Sequence, residues 1–171
     1  MAASIGIQRG WVIAVAVAVA LQVAAYIVYR TVESGRAPHL DITSATGPSR
    51  DALAPGTPRV LHLWATWCAP CRKELPGLLA AAARFEPAIE VLVVSLDTDW
   101  SVVEAYFPAG VPPQVFRADA RDANRVFGVA ALPETRVLDA AGAEVHRFGG
   151  PLDWTRPEVE ARIRAALAGA R

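Results

Sequence analysis

Val60-Leu61-His62-Leu63-Trp64-Ala65-Thr66-Trp67-Cys68-Ala69-Pro70-Cys71-Arg72-Lys73-Glu74-Leu75-Pro76 joins a strand to a helix through two cysteines. Val60 to Ala65 is near-continuously apolar and of strand length, as suits a central strand covered on both faces. From Cys71 to Arg84, Leu75, Leu78, Leu79 and Ala82 recur at i, i+3, i+4 and i+7, the spacing of an amphipathic helix. Pro76 inside it is expected to kink it. Cys68 therefore falls at or just before a helix N-terminus. Unpaired N–H groups and the helix dipole there stabilise a thiolate, the attacking species in disulfide exchange. Cys71, one turn on, lies on the same face and is placed to resolve a mixed disulfide. Pro70 is tolerated because first-turn amides have no acceptor within the helix.

Outward from this junction the pattern continues as strand and helix. Ile89–Leu96 reads as a second buried strand. Asp97-Thr98-Asp99 is placed to cap a helix over Trp100–Phe107, ended by Pro108 and Gly110. Arg121–Phe127 reads as a short helix or turn. Glu134–Leu138, a turn at residues 139–142 and Ala143–Phe148 read as a β-hairpin. Thr155 and Glu158 have capping-box spacing before a last helix with Val159, Ile163 and Leu167 on one face. Upstream, Leu40–Thr43 alternates like a short strand, with Thr46-Gly47-Pro48 as a turn. A βαβ start closed by a hairpin and helix is an α/β sandwich with a mixed sheet.

Trp11 to Tyr29 is of a different kind. It is apolar except for Gln22, and nineteen residues of helix span about 28 Å, close to the hydrocarbon thickness of a bilayer. Trp11 marks one end; Tyr26 and Tyr29 mark the other, where amphipathic rings sit at an interface. The expectation is a transmembrane anchor over 11–29, after a short segment 1–10. The alternative is a cleaved signal peptide, since Ala18-Val19-Ala20 resembles a cleavage site, but the apolar run continues past it. Arg9 on one side and Arg30 and Arg36 with Glu33 on the other nearly tie the positive-inside count. Ser34, Gly35 and Pro38 lie in an expected linker over 30–39, and the folded domain is expected over 40–171.

Composition bounds the function. The chain has 171 residues, 53% hydrophobic and 20% charged, enough for one ordinary domain and an appendage. Its 17 basic and 17 acidic side chains balance, which argues against an electrostatic nucleic-acid binder. Its 2 cysteines are too close to staple a mini-protein. A metal reading of the pair lacks ligands: there is no second CxxC, His39, His62 and His146 are not at ligand spacing, and the one methionine is Met1. No metal is expected, and no cofactor beyond a redox-active Cys68–Cys71 disulfide.

The segment Trp64 to Pro76 resembles the active-site segment of the membrane-anchored, extracytoplasmic thioredoxin-like proteins, in particular the TlpA-like and ResA-like thiol–disulfide oxidoreductases, including those of cytochrome c maturation. The resemblance covers about residues 40–168. It implies a thioredoxin-like three-layer sandwich preceded by one N-terminal transmembrane helix. Val129-Ala130-Ala131-Leu132-Pro133-Glu134-Thr135 is similar to the segment in which this family places a cis-proline beside the disulfide, which implies a cis Leu132–Pro133 bond. Glu74 matches an acidic residue that tunes the cysteines; the alternative is an ordinary first-turn Glu favoured by the helix dipole. Pro76 matches the helix-kinking proline. Trp67 is expected beside the disulfide, or else as a core aromatic. His62 departs from the family, which holds Asp or Asn there. Two roles stay open for it: a proton relay to Cys71, or a neutral hydrogen-bonded core imidazole.

The function so implied is a protein-disulfide reductase held at a bacterial inner or cytoplasmic membrane, with its domain in the periplasm or outside the cell. Cys68 attacks, Cys71 resolves, and a membrane dithiol reductant restores the pair. Candidate substrates are apocytochrome c or copper-site cysteines. The alternatives are an oxidase or isomerase, or a redox-inert module that binds copper or a partner protein.

Overall fold

The computed structural model describes residues 4–34 and 38–170. It divides into two compact units, residues 1–38 and 39–171. The first contains α1 (Ser4–Ser34). Within it, Gly10–Val28 is long and apolar enough to cross a membrane. Residues 1–3 of the short segment, 35–37 of the expected linker and Arg171 lie outside the described residues, as do the side chains of residues 4–9 and 29–34, among them Arg9, Tyr29, Arg30 and Glu33.

The second unit is a three-layer α/β sandwich. In chain order it contains β1 (Asp41–Ile42), β2 (Arg50–Asp51), β3 (Arg59–Trp64), α2 (Ala69–Phe85), β4 (Glu90–Ser95), α3 (Trp100–Tyr106), β5 (Val115–Arg117), α4 (Ala120–Phe127), β6 (Glu134–Leu138), β7 (Glu144–Gly149) and α5 (Pro157–Gly169). The central sheet has the order β5-β4-β3-β6-β7. β3, β4 and β5 run parallel, β6 lies antiparallel beside β3, and β7 lies antiparallel beside β6 at the sheet edge. The sheet is therefore mixed, and β3, which leads into the cysteines, is its central strand.

Alternation along β3 divides the core. Val60 and Trp64 face the layer of α2, α3 and α5, in one cluster with Leu75, Leu78, Val103 and Ile163, and His62 points to the same side, against Trp154 of that cluster. Leu61 and Leu63 face the other side, with Leu92, Val94, Ala123 of α4, and Leu40 and Ile42 from the small β1–β2 hairpin. Trp64 has no exposed surface and packs against Tyr106 and Phe107, with ring centroids 5.3 and 5.9 Å away.

Cys68 occupies the capping position of α2, at the helix N-terminus as expected, and the helix starts at Ala69. It runs as one helix through Pro76, which has no N–H to offer the Arg72 carbonyl. Other local expectations are corrected. Asp97 turns inward: it is buried, and only Asp99 stands at the cap of α3. The capping box at Thr155 does not form. The Thr155 N–H and hydroxyl both donate to Asp153, and α5 starts two residues later at Pro157, whose ring suits a first helical turn. β5, three residues long, was not anticipated. At the β6–β7 turn, Gly142 has φ +83°, and a Cβ there would lie 1.9 Å from the Leu53 carbonyl oxygen. Only glycine satisfies both conditions.

Candidate active site

Strand β3 delivers the chain to the carboxyl edge of the sheet, and the turn from Ala65 to Cys68 is fixed from below. The Asp97 carboxylate accepts from the Thr66 N–H at 2.9 Å, the Thr66 hydroxyl at 2.8 Å and the Ser95 hydroxyl at 2.7 Å. The Cys68 N–H then donates to the Ala65 carbonyl at 3.1 Å. Cys68 is the N-cap of α2, with extended φ −84° and ψ 103°, and its Sγ accepts from the Cys71 N–H at 3.3 Å. Pro70 sits in the first turn, where its missing N–H leaves no acceptor wanting.

Cys68 and Cys71 form a disulfide with Cα atoms 5.3 Å apart. Cys68 retains 5% of its surface and Cys71 none. Trp67 is 70% exposed, so it is not a core aromatic. Together with Leu96, Asn124 and residues 129–132 it lines a shallow groove of about 240 Å³. The Leu132–Pro133 bond is cis, as implied by the resemblance; Glu86–Pro87 is also cis. The Pro133 carbonyl accepts from the Gly150 N–H at 3.0 Å. Residues 129–132 lie outside the regular elements, and no backbone hydrogen bond within the described residues occupies their amides and carbonyls. A larger cleft of about 330 Å³, lined by Pro58, Ile89, Asp139, Arg164 and Leu167, opens at the amino end of β3 and β4, away from the cysteines.

Behind Cys71 lies a buried polar cluster. His62 has no exposed surface; its Nδ1 is 2.9 Å from the Thr135 hydroxyl and its Nε2 is 3.5 Å from Glu74 Oε1. Burial pushes the imidazole down to about 3, so it is neutral at physiological pH. Glu74, three residues after Cys71, shares its helix face. It is 8% exposed, and its Oε2 accepts from the Leu152 N–H at 2.6 Å and Trp154 Nε1–H at 3.2 Å. Burial pushes its carboxyl up to about 7, and the two hydrogen bonds oppose this only in part. Glu74 is therefore not a surface residue placed for the dipole. Trp154 meets the His62 ring edge-on at 6.0 Å and lies in the same core cluster as both cysteines.

Three contributors escaped the sequence reading: Asp97, Thr135 and Trp154. Thr135 alone carried a signal, since it stands two residues after Pro133 on a strand paired with β3 and directly opposite His62. Trp154 comes from an irregular segment whose return to α2 no local pattern announces.

A mixed sheet with the order β5-β4-β3-β6-β7, a CxxC disulfide capping the helix after the central strand, and a cis-proline loop define a thioredoxin-like protein. The chain belongs to the AhpC/TSA family, whose model matches residues 36–145. It is 33% identical over 134 residues to the thiol:disulfide interchange protein HelX of Rhodobacter capsulatus, covering 76% of this chain and 73% of that one. It is 35% identical over 115 residues to the thiol:disulfide interchange protein DsbE homolog of Paracoccus denitrificans, covering 63% and 62%. Among solved structures it is similar to a thiol:disulfide interchange protein DsbE of Chlorobium tepidum, with TM-score 0.62, 26% identity, and 77% and 95% of the two chains covered. The chain is a thiol–disulfide oxidoreductase of thioredoxin-like fold.

Proposed function

We propose that this protein is a membrane-tethered reductase of protein disulfides, working outside the cytoplasm. The single observation that carries the reading is the asymmetry of the cysteines: Cys68 caps α2 at the rim, and Cys71 is fully enclosed. In the reduced form the helix N-terminus favours the Cys68 thiolate. That thiolate attacks one sulfur of a substrate disulfide and the other leaves as a thiolate. Cys71 then loses its proton and attacks Cys68 Sγ. The substrate departs with both sulfurs reduced, and the Cys68–Cys71 disulfide carries the two oxidising equivalents. A membrane dithiol reductant returns two electrons and restores the pair.

Residues 129–132 support the reading, because their backbone groups are available to an extended substrate segment added as a strand. Trp67 and Leu132 would flank that segment, with Pro133 setting the loop. Glu74 and His62 would tune how reducing the pair is. Residues 11–29 would serve as the anchor, and 40–171 as the domain facing the periplasm or exterior. Candidate substrates are apocytochrome c and copper-site cysteines.

The test is insulin reduction by the purified protein, with copper stoichiometry measured on the same sample. Catalysed reduction lost in Cys68→Ala supports a reductase. Stoichiometric copper binding without reduction would replace it by a binding module. Protease treatment of intact spheroplasts tests the topology: a domain that is degraded supports it, and a shielded domain contradicts it.

A further inference from the structure

The buried cluster behind Cys71 has one feature that neither the fold nor the disulfide requires. His62 Nε2 and Glu74 Oε1 face each other at 3.5 Å, both buried, and neither has a hydrogen-bond partner elsewhere among the described residues. Every other polar atom of the two side chains is already committed. Glu74 Oε2 faces two N–H donors, from Leu152 and Trp154. A proton on Glu74 therefore belongs on Oε1, because Oε2 would turn an O–H against them. From Oε1 that proton points at His62 Nε2, which must then be bare. The imidazole is neutral, so its own proton must sit on Nδ1 and be donated to the Thr135 oxygen, 2.9 Å away. When Glu74 is a carboxylate the arrangement reverses. Nε2–H donates to Oε1, since two lone pairs facing one another in a dry site would repel. Nδ1 is then bare and accepts from the Thr135 hydroxyl. A hydroxyl both donates and accepts, so Thr135 fits both states without moving.

We propose that Thr135, His62 and Glu74 form a charge-neutral proton switch beside Cys71, in which the His62 proton sits on Nε2 when Glu74 is ionised and on Nδ1 when Glu74 is protonated. The inference rests on the reading of Cys68–Cys71 as an exchanging pair and assigns the proton of its resolving step. Cys71 Sγ–H gives up one proton and becomes the thiolate that attacks Cys68 Sγ. The cluster gains that proton: carboxylate and Nε2–H imidazole become carboxylic acid and Nδ1–H imidazole. Its charge goes from −1 to 0 as that of Cys71 goes from 0 to −1, so no net charge is added to the enclosed site. Thr135 is a positioning residue here, acting through the imidazole.

The groups that face the cluster allow this. α2 contributes Glu74 and Cys71, β6 contributes Thr135, and the segment before α5 contributes Trp154 and the Leu152 amide. Among the described residues no Arg or Lys bonds to either His62 or Glu74. Arg84 donates to the carbonyl of Trp154 and pairs with Glu160, and bonds to neither His62 nor Glu74. Burial holds Glu74 near 7, where it changes state in the working range, and holds His62 near 3, where it does not become an imidazolium.

The experiment uses the oxidised full chain in detergent micelles, labelled with [15N]histidine and [13C]glutamate. Long-range proton–nitrogen spectra are recorded from pH 5 to 9, with Glu74 assigned through Glu74→Gln. The expected result is an exchange of the His62 nitrogen shifts between the two neutral tautomers, with the midpoint of the Glu74 carboxyl titration. In Glu74→Gln the tautomer no longer follows pH. In Thr135→Val the midpoint moves to lower pH, because the Nδ1–H state is left with a buried donor lacking an acceptor. A His62 imidazolium near neutrality, one fixed tautomer while Glu74 titrates, or a Glu74 that does not titrate between 5 and 9 would each overturn the proposal. An unmoved midpoint in Thr135→Val removes Thr135 from it. Insulin reduction is scored separately: a chain that switches tautomer without reducing insulin sinks the reductase reading, and one that reduces insulin without switching sinks this proposal.

Discussion

Replacing Glu74 by Gln should make the folded protein more stable at pH 8 than the wild type, and not at pH 4.5. Gln keeps an oxygen for the Leu152 and Trp154 donors, so the two hydrogen bonds survive the change. What it removes is a carboxyl whose ionisation is raised from 4.5 to about 7 by burial. A raised acid binds its proton more tightly in the folded chain than in the unfolded one. Its contribution is fully present below 4.5 and is lost as pH rises to about 7. At about 1.4 kcal/mol per pH unit, that window amounts to about 3 kcal/mol. For a domain of this size the corresponding shift is on the order of 10 °C in Tm. Thermal unfolding of the oxidised full chain in micelles, wild type against Glu74→Gln at intervals from pH 4.5 to 8, isolates the term, because every other titrating group is common to both. The wild type should lose about 3 kcal/mol relative to the variant across the series. A difference that stays constant with pH would refute the reasoning, since it would mean that Glu74 ionises in the folded protein as it does in water.

Other consequences are open to simple tests. Iodoacetamide added to the reduced protein should label Cys68 before Cys71, as read by peptide mass spectrometry, because Cys71 is enclosed. Glu74→Gln should make the couple more oxidising at pH 8, by on the order of 30 mV for each 1.4 kcal/mol of lost thiolate repulsion, and much less at pH 5.5; glutathione redox titration at the two pH values checks this. Gly142→Ala should cost roughly 2 kcal/mol or more in thermal unfolding, since its left-handed φ and the Leu53 carbonyl both oppose a Cβ. Arg136→Ala should cost about 3 kcal/mol by the same assay, because it leaves buried Glu134 with only the longer 3.5 Å contact to Arg147 and removes the guanidinium from Glu144 and the Phe127 carbonyl.

Much of the fold was legible because its strongest signals are local. The apolar run into Cys68, the 3.6-residue spacing after Cys71 and the hairpin around Asp139–Gly142 each specify their element from neighbours in sequence. The cysteines were legible for the same reason, as a pair at a strand–helix junction. Illegible features depend on residues far apart. Asp97 reads as a cap from its neighbours, yet its carboxylate is taken by Thr66, which β3 brings alongside. Glu134 and Arg136 alternate as a surface pair would, but Phe127 at the end of α4 packs on Arg136, and the two are buried as an ion pair at 2.9 Å. β5 is too short for periodicity to reveal, and is held by pairing with β4. The His62–Glu74 contact joins β3 to α2; Thr135 is 73 residues from its partner His62 in sequence, and Trp154 is 80 from its partner Glu74.

The central claim is exchange by Cys68 attack and Cys71 resolution, and a trapped intermediate tests it most directly. Reduced Cys71→Ala protein, mixed with a disulfide-containing substrate such as insulin, is run on a non-reducing gel and the adduct is mapped by mass spectrometry. The account predicts a dithiothreitol-sensitive mixed disulfide through Cys68 that accumulates in Cys71→Ala, is transient in the wild type and is absent in Cys68→Ala. An adduct that forms through Cys71 in Cys68→Ala, with none in Cys71→Ala, would contradict it.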